Sequence, residues 1–355
     1  MSSKIECYAE IMTQEHAWQE AVHVSLQHKA ETNAFFEAAN PTEILFIGCT
    51  SPFYAGTVAS AFWKAETGTP ARAIPSSELV MFPSIYYSGL KSKPVLIALS
   101  RSGKTSETIW AMEEFERRYP GRSVLIGCNP QGRLAEMARL KIFLPESGEK
   151  TIPQTRSLGS MLISALMMAA FQSGSLEAID MLKSAPARAS AILKNSEATV
   201  KGLFENKHYN NIFILGGGFF YGIAKEAGLK CMEMSTTDTF SYTFMDSRHG
   251  PRSLIDENSL VVGLYSRSGL HYEAQVMDEL TQNHKATTLA ITPTRNWETG
   301  KVTASISLEH DWPDNLSGLL YLPPTQLVAY YCAVSKGLNP DVARLHTQYV
   351  EIKRF

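Results

Sequence analysis

The sequence predicts an α/β protein of two tandem αβα sandwiches, each a parallel β-sheet flanked by helices. Two observations predict it. Short apolar runs end in polar or glycine-rich turns that lead into amphipathic stretches, the pattern of parallel strands buried on both faces and crossed over by helices. The same order of events also occurs twice. Gly48 and Gly216 are 168 residues apart, the Phe-Tyr pairs at 53–54 and 220–221 are 167 apart, and two Ser-Arg-Ser-Gly stretches starting at 100 and 266 are 166 apart. Three matched elements at a nearly constant offset read as a repeated domain.

Residues 4–37 read as helical, with Trp18, Val22, Val24, Leu26, Phe35 and Phe36 among polar neighbours. After Pro41, Ile44–Ile47 form a first strand entering "GCTS", and Ala55–Thr67 a helix. Val95–Leu99 make a second strand entering "SRSGKTSET", followed by a helix through Ile109, Met112 and Phe115; Ser123–Gly127 make a third. In the second half Ile212–Leu215, "SLVVGLY" and "KATTLAITP" supply the equivalent strands. The stretch from Ser157 through Phe171 to about Phe204 bridges the copies, with Met161, Leu162, Leu166, Met167 and Met168 expected in the core. Leu327–Val334 read as a last helix, ended by "GLNP". The expected division is a helical segment at 1–39, domains at 40–185 and 186–336, and a tail at 337–355.

The chain has 355 residues, 33 basic against 35 acidic, so bulk charge gives no drive toward nucleic acid or an anionic membrane. Five scattered cysteines with no CxxC pair argue for a reducing compartment without a disulfide framework. The longest apolar stretch, Met161–Phe171, is too short to span a bilayer, and the N-terminus lacks an apolar signal core. A soluble, cytoplasmic protein is expected.

The chemistry concentrates at strand ends. Ser102, Thr105 and Ser106 fall where a loop becomes a helix, where unpaired N–H groups and the helix dipole favour an anion. Gly103 permits close backbone approach, and the "GCTS" loop with Thr50 and Ser51 lies at another strand end. A phosphate monoester fits such a cradle, although an ordinary N-capped turn would use the same residue types. The stretch is neither GxxxxGK[ST] nor GxGxxG. The second SRSG continues Leu270-His271-Tyr272 and lacks the following hydroxyls, so it reads as a turn that has lost its ligand. Glu226, Lys230 and Glu233 share a helix face, equally readable as a solvent-facing ion-pair ladder. His249 lies in a Gly/Pro turn between Arg248 and Arg252, and glutamate with histidine is a plausible proton-transfer pair.

Taken together, "GCTSPFYAG", "SRSGKTSET", "GLKCMEM", "SRHGP" and "GLNPD…VEI" resemble the sugar isomerase (SIS) superfamily over residues 40–351, in the double-domain form typified by the isomerase half of glucosamine-6-phosphate synthase. The resemblance implies two tandem SIS domains. It implies that Thr50 and Ser51 line the sugar site and that Ser100, Ser102 and Thr105 hold the sugar phosphate, with Arg101 in place of a neutral family residue. Glu233 matches the enolisation base and Lys230 the lysine preceding it. His249 matches the ring-opening histidine, which in this family comes from the neighbouring subunit of at least a homodimer. Ser157 falls in another substrate-lining segment. Two departures follow: residues 1–39 are too short for a glutaminase, and His346 stands where the synthase pattern has its Schiff-base lysine, which neutral histidine cannot replace as a nucleophile. The implied function is deamination of an aldosamine 6-phosphate to a ketose 6-phosphate plus ammonia. The alternatives are a ketose/aldose-6-phosphate isomerase, a fructosamine-6-phosphate deglycase and a non-catalytic phosphosugar-binding regulator. Neither metal nor nicotinamide cofactor is required by this chemistry.

Overall fold

Strand order shows why the two halves of the sequence look alike. In the computed structural model, which describes residues 5–90, 93–342, 347 and 349–353, ten strands form two sheets of five. The first contains β1 (Glu43–Gly48), β2 (Ala71–Pro75), β3 (Pro94–Ser100), β4 (Ser123–Gly127) and β5 (Leu140–Phe143), in the order β2-β1-β3-β4-β5. The second contains β6 (Asn211–Leu215), β7 (Asp238–Tyr242), β8 (Ser259–Leu264), β9 (Thr287–Thr292) and β10 (Ala304–Ser307), in the order β7-β6-β8-β9-β10. Every pairing is parallel. Each sheet therefore starts at its second position, steps outward once, then reverses. Ligands of such sheets bind beyond the strand ends where the winding reverses, between β1 and β3 or between β6 and β8.

The six interior strands carry the apolar runs of the sequence: β3, β4, β8 and β9 are buried at every position. All four edge strands, β2, β5, β7 and β10, lack such runs and were not expected. With one flank open they alternate or remain half-exposed, as in β7, where no residue is buried.

The chain divides into two compact units that differ from the expected division. One comprises residues 13–186 and 345–355, the other 1–12 and 187–344. The N-terminal helices are not a unit of their own. Helix α1 (Glu6–Met12) belongs with the second sheet because Asp341 accepts the N–H groups of Glu6 and Cys7 at 2.8 and 2.7 Å, capping its first turn. Helices α2 (Gln14–Gln27) and α3 (Lys29–Ala39) belong with the first sheet, beside α4 (Ser51–Thr67), α5 (Ser106–Arg118) and α6 (Arg156–Ser173). The 29-residue α7 (Leu176–Phe204) runs through the boundary, which falls at Pro186, a residue with no N–H to give the helix. Among the described residues no helix is long and apolar enough to cross a membrane.

Helix α6 packs on α2 and α4 and is buried at every position from Ser157 to Phe171, so its methionines are core residues. The approach of α2 is set by Gly159, where a Cβ would lie 2.3 Å from the indole nitrogen of buried Trp18. Gly159→Ala is expected to lower stability by about 1–3 kcal/mol through overpacking, read as a lower denaturant midpoint at unchanged m-value. A midpoint equal to wild type would show that the two helices can separate freely.

Candidate functional site

In the first unit β1 and β3 are neighbours with Ile47 opposite Ala98, so the loops that leave them start level. After β1 the chain turns sharply into α4. Gly48 has no room for a Cβ, which would meet Pro52 at 2.6 Å, and Thr50 adopts φ 53°, a left-handed conformation unusual for a β-branched residue. The Thr50 hydroxyl donates to the Cys49 carbonyl at 2.8 Å, and Thr50 is exposed while Ser51 is buried at the start of α4.

The loop after β3 is fastened from several sides. The Ser100 hydroxyl accepts the Gly103 N–H at 3.1 Å, and the Ser102 hydroxyl accepts the Lys104 N–H at 3.2 Å. Asn129 donates to the Ser102 carbonyl at 2.9 Å, and Cys128 N–H to the Arg101 carbonyl at 3.2 Å. Gly103, at φ 65°, lies against Gly132, where a Cβ would come within 2.7 Å of the Gly103 Cα. Asn129 and Gly132 were missed in the sequence, although the Cys-Asn-Pro turn after β4 was visible there. Thr105 occupies the N-cap position of α5 but its hydroxyl accepts no capping bond, so capping does not explain its presence. The first turn of α5 instead meets the tail, with Ser106 N–H donating to the Val350 carbonyl at 3.2 Å and Ile352 N–H to the Ser106 hydroxyl at 3.0 Å. His346 lies outside the described residues.

Two residues expected at the sugar or phosphate have other partners. Arg101 is buried, and its guanidinium donates to Glu149 at 3.0 Å and to the Thr151 carbonyl at 3.2 Å. Ser157 is fully buried, and its hydroxyl donates to the same Glu149 at 2.5 Å. Both side chains are engaged in the scaffold here.

In the second unit, Glu226, Lys230 and Glu233 share a face of α8 (Tyr221–Ser235), but that face is not solvated. α8 packs on β6, β7 and α10 (Leu322–Ser335). Lys230 is 1% exposed, 3.4 Å from Glu226 and in direct contact with Glu233. Burial pushes its ammonium pKa down, but the two carboxylates push it up more strongly, so it sits above the ordinary lysine value and stays charged. So placed, Lys230 holds the Glu233 carboxylate, which keeps 19% of its side chain accessible. His249 is exposed at the end of the turn Phe244–Ser247, its N–H bonded to the Asp246 carbonyl at 3.1 Å. Its neighbours Arg248 and Arg252 are both tied to Glu279, at 3.1 and 3.3 Å. Among the described residues of this unit no hydrogen bond or ion pair joins His249 to Glu233.

The second SRSG loop is occupied by the chain itself. Gly269 N–H donates to the Ser266 hydroxyl at 2.8 Å, the same bond that Gly103 makes to Ser100. Asp314 then accepts Arg267 N–H at 2.8 Å, Ser268 N–H at 2.9 Å and the Ser268 hydroxyl at 2.7 Å. The Arg267 guanidinium turns to the carbonyls of His310 and Trp312. Below the loop Glu273, on α9 (Leu270–Gln282), receives the Ser266 N–H and hydroxyl, both at 2.7 Å. In the first loop, among the described residues, no carboxylate accepts from the N–H or hydroxyl of Ser102.

Residues 206–336 match the family model for the SIS domain. The second half of the chain thus contains a SIS domain. The chain is 26% identical over 315 residues to the glutamine–fructose-6-phosphate aminotransferase (isomerizing) of Caldanaerobacter subterraneus, covering 85% of this chain and 50% of that protein. The chain thus spans about half the length of the curated relatives it matches. Its fold is similar to tagatose-6-phosphate ketose/aldose isomerase from Escherichia coli, with TM-score 0.84, 24% identity and 96% of both chains covered. It is also similar to glucosamine-6-phosphate deaminase from Thermotoga maritima, with TM-score 0.75, 24% identity and coverage of 93% of this chain and 99% of that one.

The second loop gives this protein a pH signature. Burial pushes the Glu273 carboxyl up to about 7, opposed by its bonds from Ser266 and helped by the Asp314 charge. The folded state then binds the proton more tightly than the unfolded state, so Glu273 removes stability as pH rises from about 4.5 to 7, by at most about 3 kcal/mol. Burial, with the charges of Arg267 and Arg188, lowers His310 to about 4, which removes stability as pH falls from about 6.5 to 4. The opposed slopes flatten the wild-type profile. Glu273→Gln is expected to unmask a stability that increases from pH 4.5 to 6.5 in denaturant titrations; a profile parallel to wild type would contradict the assignment.

Proposed function

We propose that the chain is a phosphosugar isomerase-type enzyme acting on hexose or amino-hexose phosphates, with aldose–ketose interconversion as its reaction. The observation that carries this reading is internal to the chain. Its second SRSG loop grips a carboxylate through two N–H groups and a hydroxyl. The first loop has the same four residues, the same internal Gly-to-Ser bond and the same strand-to-helix setting, and Ser102 has no such carboxylate among the described residues. Its donors suit an oxyanion brought by a ligand, and a phosphate monoester meets them with charge-assisted bonds.

In this reading Ser100 shapes the loop, and Ser102 and Thr105 with neighbouring N–H groups take the phosphate. Thr50 and Ser51 face the sugar. His249, contributed by a neighbouring subunit, assists proton transfer between ring oxygen and anomeric hydroxyl. Glu233 takes a proton from C2 of the open-chain aldose and returns it to C1 of the enediol, while the O2 hydroxyl proton passes to O1, giving the ketose. Lys230, in contact with Glu233, holds its side chain in place between transfers. Ammonia release is the second reading, supported by the similarity to glucosamine-6-phosphate deaminase; interconversion is preferred because the ketose/aldose isomerase is the nearer of the two in fold, at TM-score 0.84 against 0.75.

Glu233→Gln is expected to lower turnover of tagatose-, fructose- or glucosamine-6-phosphate by about 10²–10⁴ while phosphosugar binding by calorimetry changes little. Retained turnover would remove Glu233 from the mechanism, and ammonia formed in step with ketose phosphate would favour the second reading. The oxyanion character of the loops has its own test. Asp314→Ala leaves three donors without their acceptor and is expected to cost about 1–3 kcal/mol, recovered in part by added sulfate but not by chloride at matched ionic strength. Equal recovery by both salts would count against it.

A further inference from the structure

The first unit holds a buried carboxylate that has no place in the chemistry above. The Glu149 side chain is completely buried and receives five donors from three residues. Arg101 approaches at 3.0 Å, Thr155 through its N–H at 2.5 Å and hydroxyl at 3.1 Å, and Ser157 through its N–H at 3.1 Å and hydroxyl at 2.5 Å. One donor belongs to the loop after β3; the other four open helix α6, which is fixed in the core. Glu149 therefore connects the proposed phosphate loop to the most deeply buried helix of its unit. It also absorbs the N-terminal N–H groups of α6 and the charge of Arg101, which would otherwise compete for an anion.

We infer that Glu149 is a positioning residue for phosphosugar binding, acting through Arg101 on the backbone at 101–103. The inference rests on the function proposed above. Its sharp test is the isosteric amide. All five groups that meet Glu149 donate, so the NH₂ group of a glutamine must face a donor whichever way it is turned. Glu149→Gln is expected to raise the KM for phosphosugar and the inhibition constant of inorganic phosphate tenfold or more, with kcat within threefold. Arg101→Met, which keeps Glu149 on its four α6 donors, should show the same split if the amide variant does not fold. The double variant should be no worse than the poorer single, because the two residues act as one device. A purely structural role would lower the melting temperature and the folded fraction with KM unchanged. Unchanged phosphate inhibition in folded variants, or losses that add independently, would overturn the inference alone. Wild-type protein that binds neither inorganic phosphate nor any phosphosugar would overturn the functional reading and this inference with it.

Discussion

Backbone N–H groups at the end of a parallel strand must find an acceptor, and the acceptor they find sets the task of each half of this chain. A strand that gives way to a helix leaves several donors aimed at one small volume. At the end of β8 that demand is met by Asp314, and the loop is closed chemically. At the end of β3 the same four residues are held by Asn129, Gly132 and Cys128, contacts that shape the loop from behind through its carbonyls and its glycine. Similar sequences and one topology thus give one loop that is satisfied internally and one whose donors suit a ligand.

Charge burial follows a common pattern around these loops. Lys230 lies between two carboxylates and Arg101 against one, both shielded from water. Removing one partner of such a pair strands the other, at a cost of about 3–5 kcal/mol. These pairs hold geometry more than they add net stability. In the proposed mechanism Lys230 fixes the carboxylate that moves the proton, and Glu149 fixes the loop that takes the anion. Each group remote from the reacting atoms is the more deeply buried member.

Much of this was legible in the sequence, and the exceptions share a cause. The interior strands were read because burial on both faces imposes an uninterrupted apolar run; the edge strands were not, because "DTFSY" and "ASIS" carry no such constraint. Ser100, Ser102, Thr105 and Glu233 stood out by local spacing. The partners that give them meaning do not lie nearby: Glu149 is 48 residues from Arg101, and Asp314 is 47 from Arg267. Local pattern cannot show such closures, so Arg101 read as a residue of the phosphate site and the second loop as an empty turn. The burial of Lys230 was hidden for a different reason. Its helix is flanked by a sheet and a second helix, so a face that looks polar in periodicity can still point inward.

The Asp314 contact also divides the two loops thermodynamically. An acceptor carried on the same chain is present at a high effective concentration that no dilution alters. The second loop is therefore ordered whatever the metabolic state of the cell. An acceptor that arrives with a metabolite adds to the stability of the first loop by mass action, as RT ln(1 + [L]/Kd). In the proposed function the phosphate loop of the first unit gains stability in proportion to phosphosugar supply, whereas the second loop holds the same stability at every concentration.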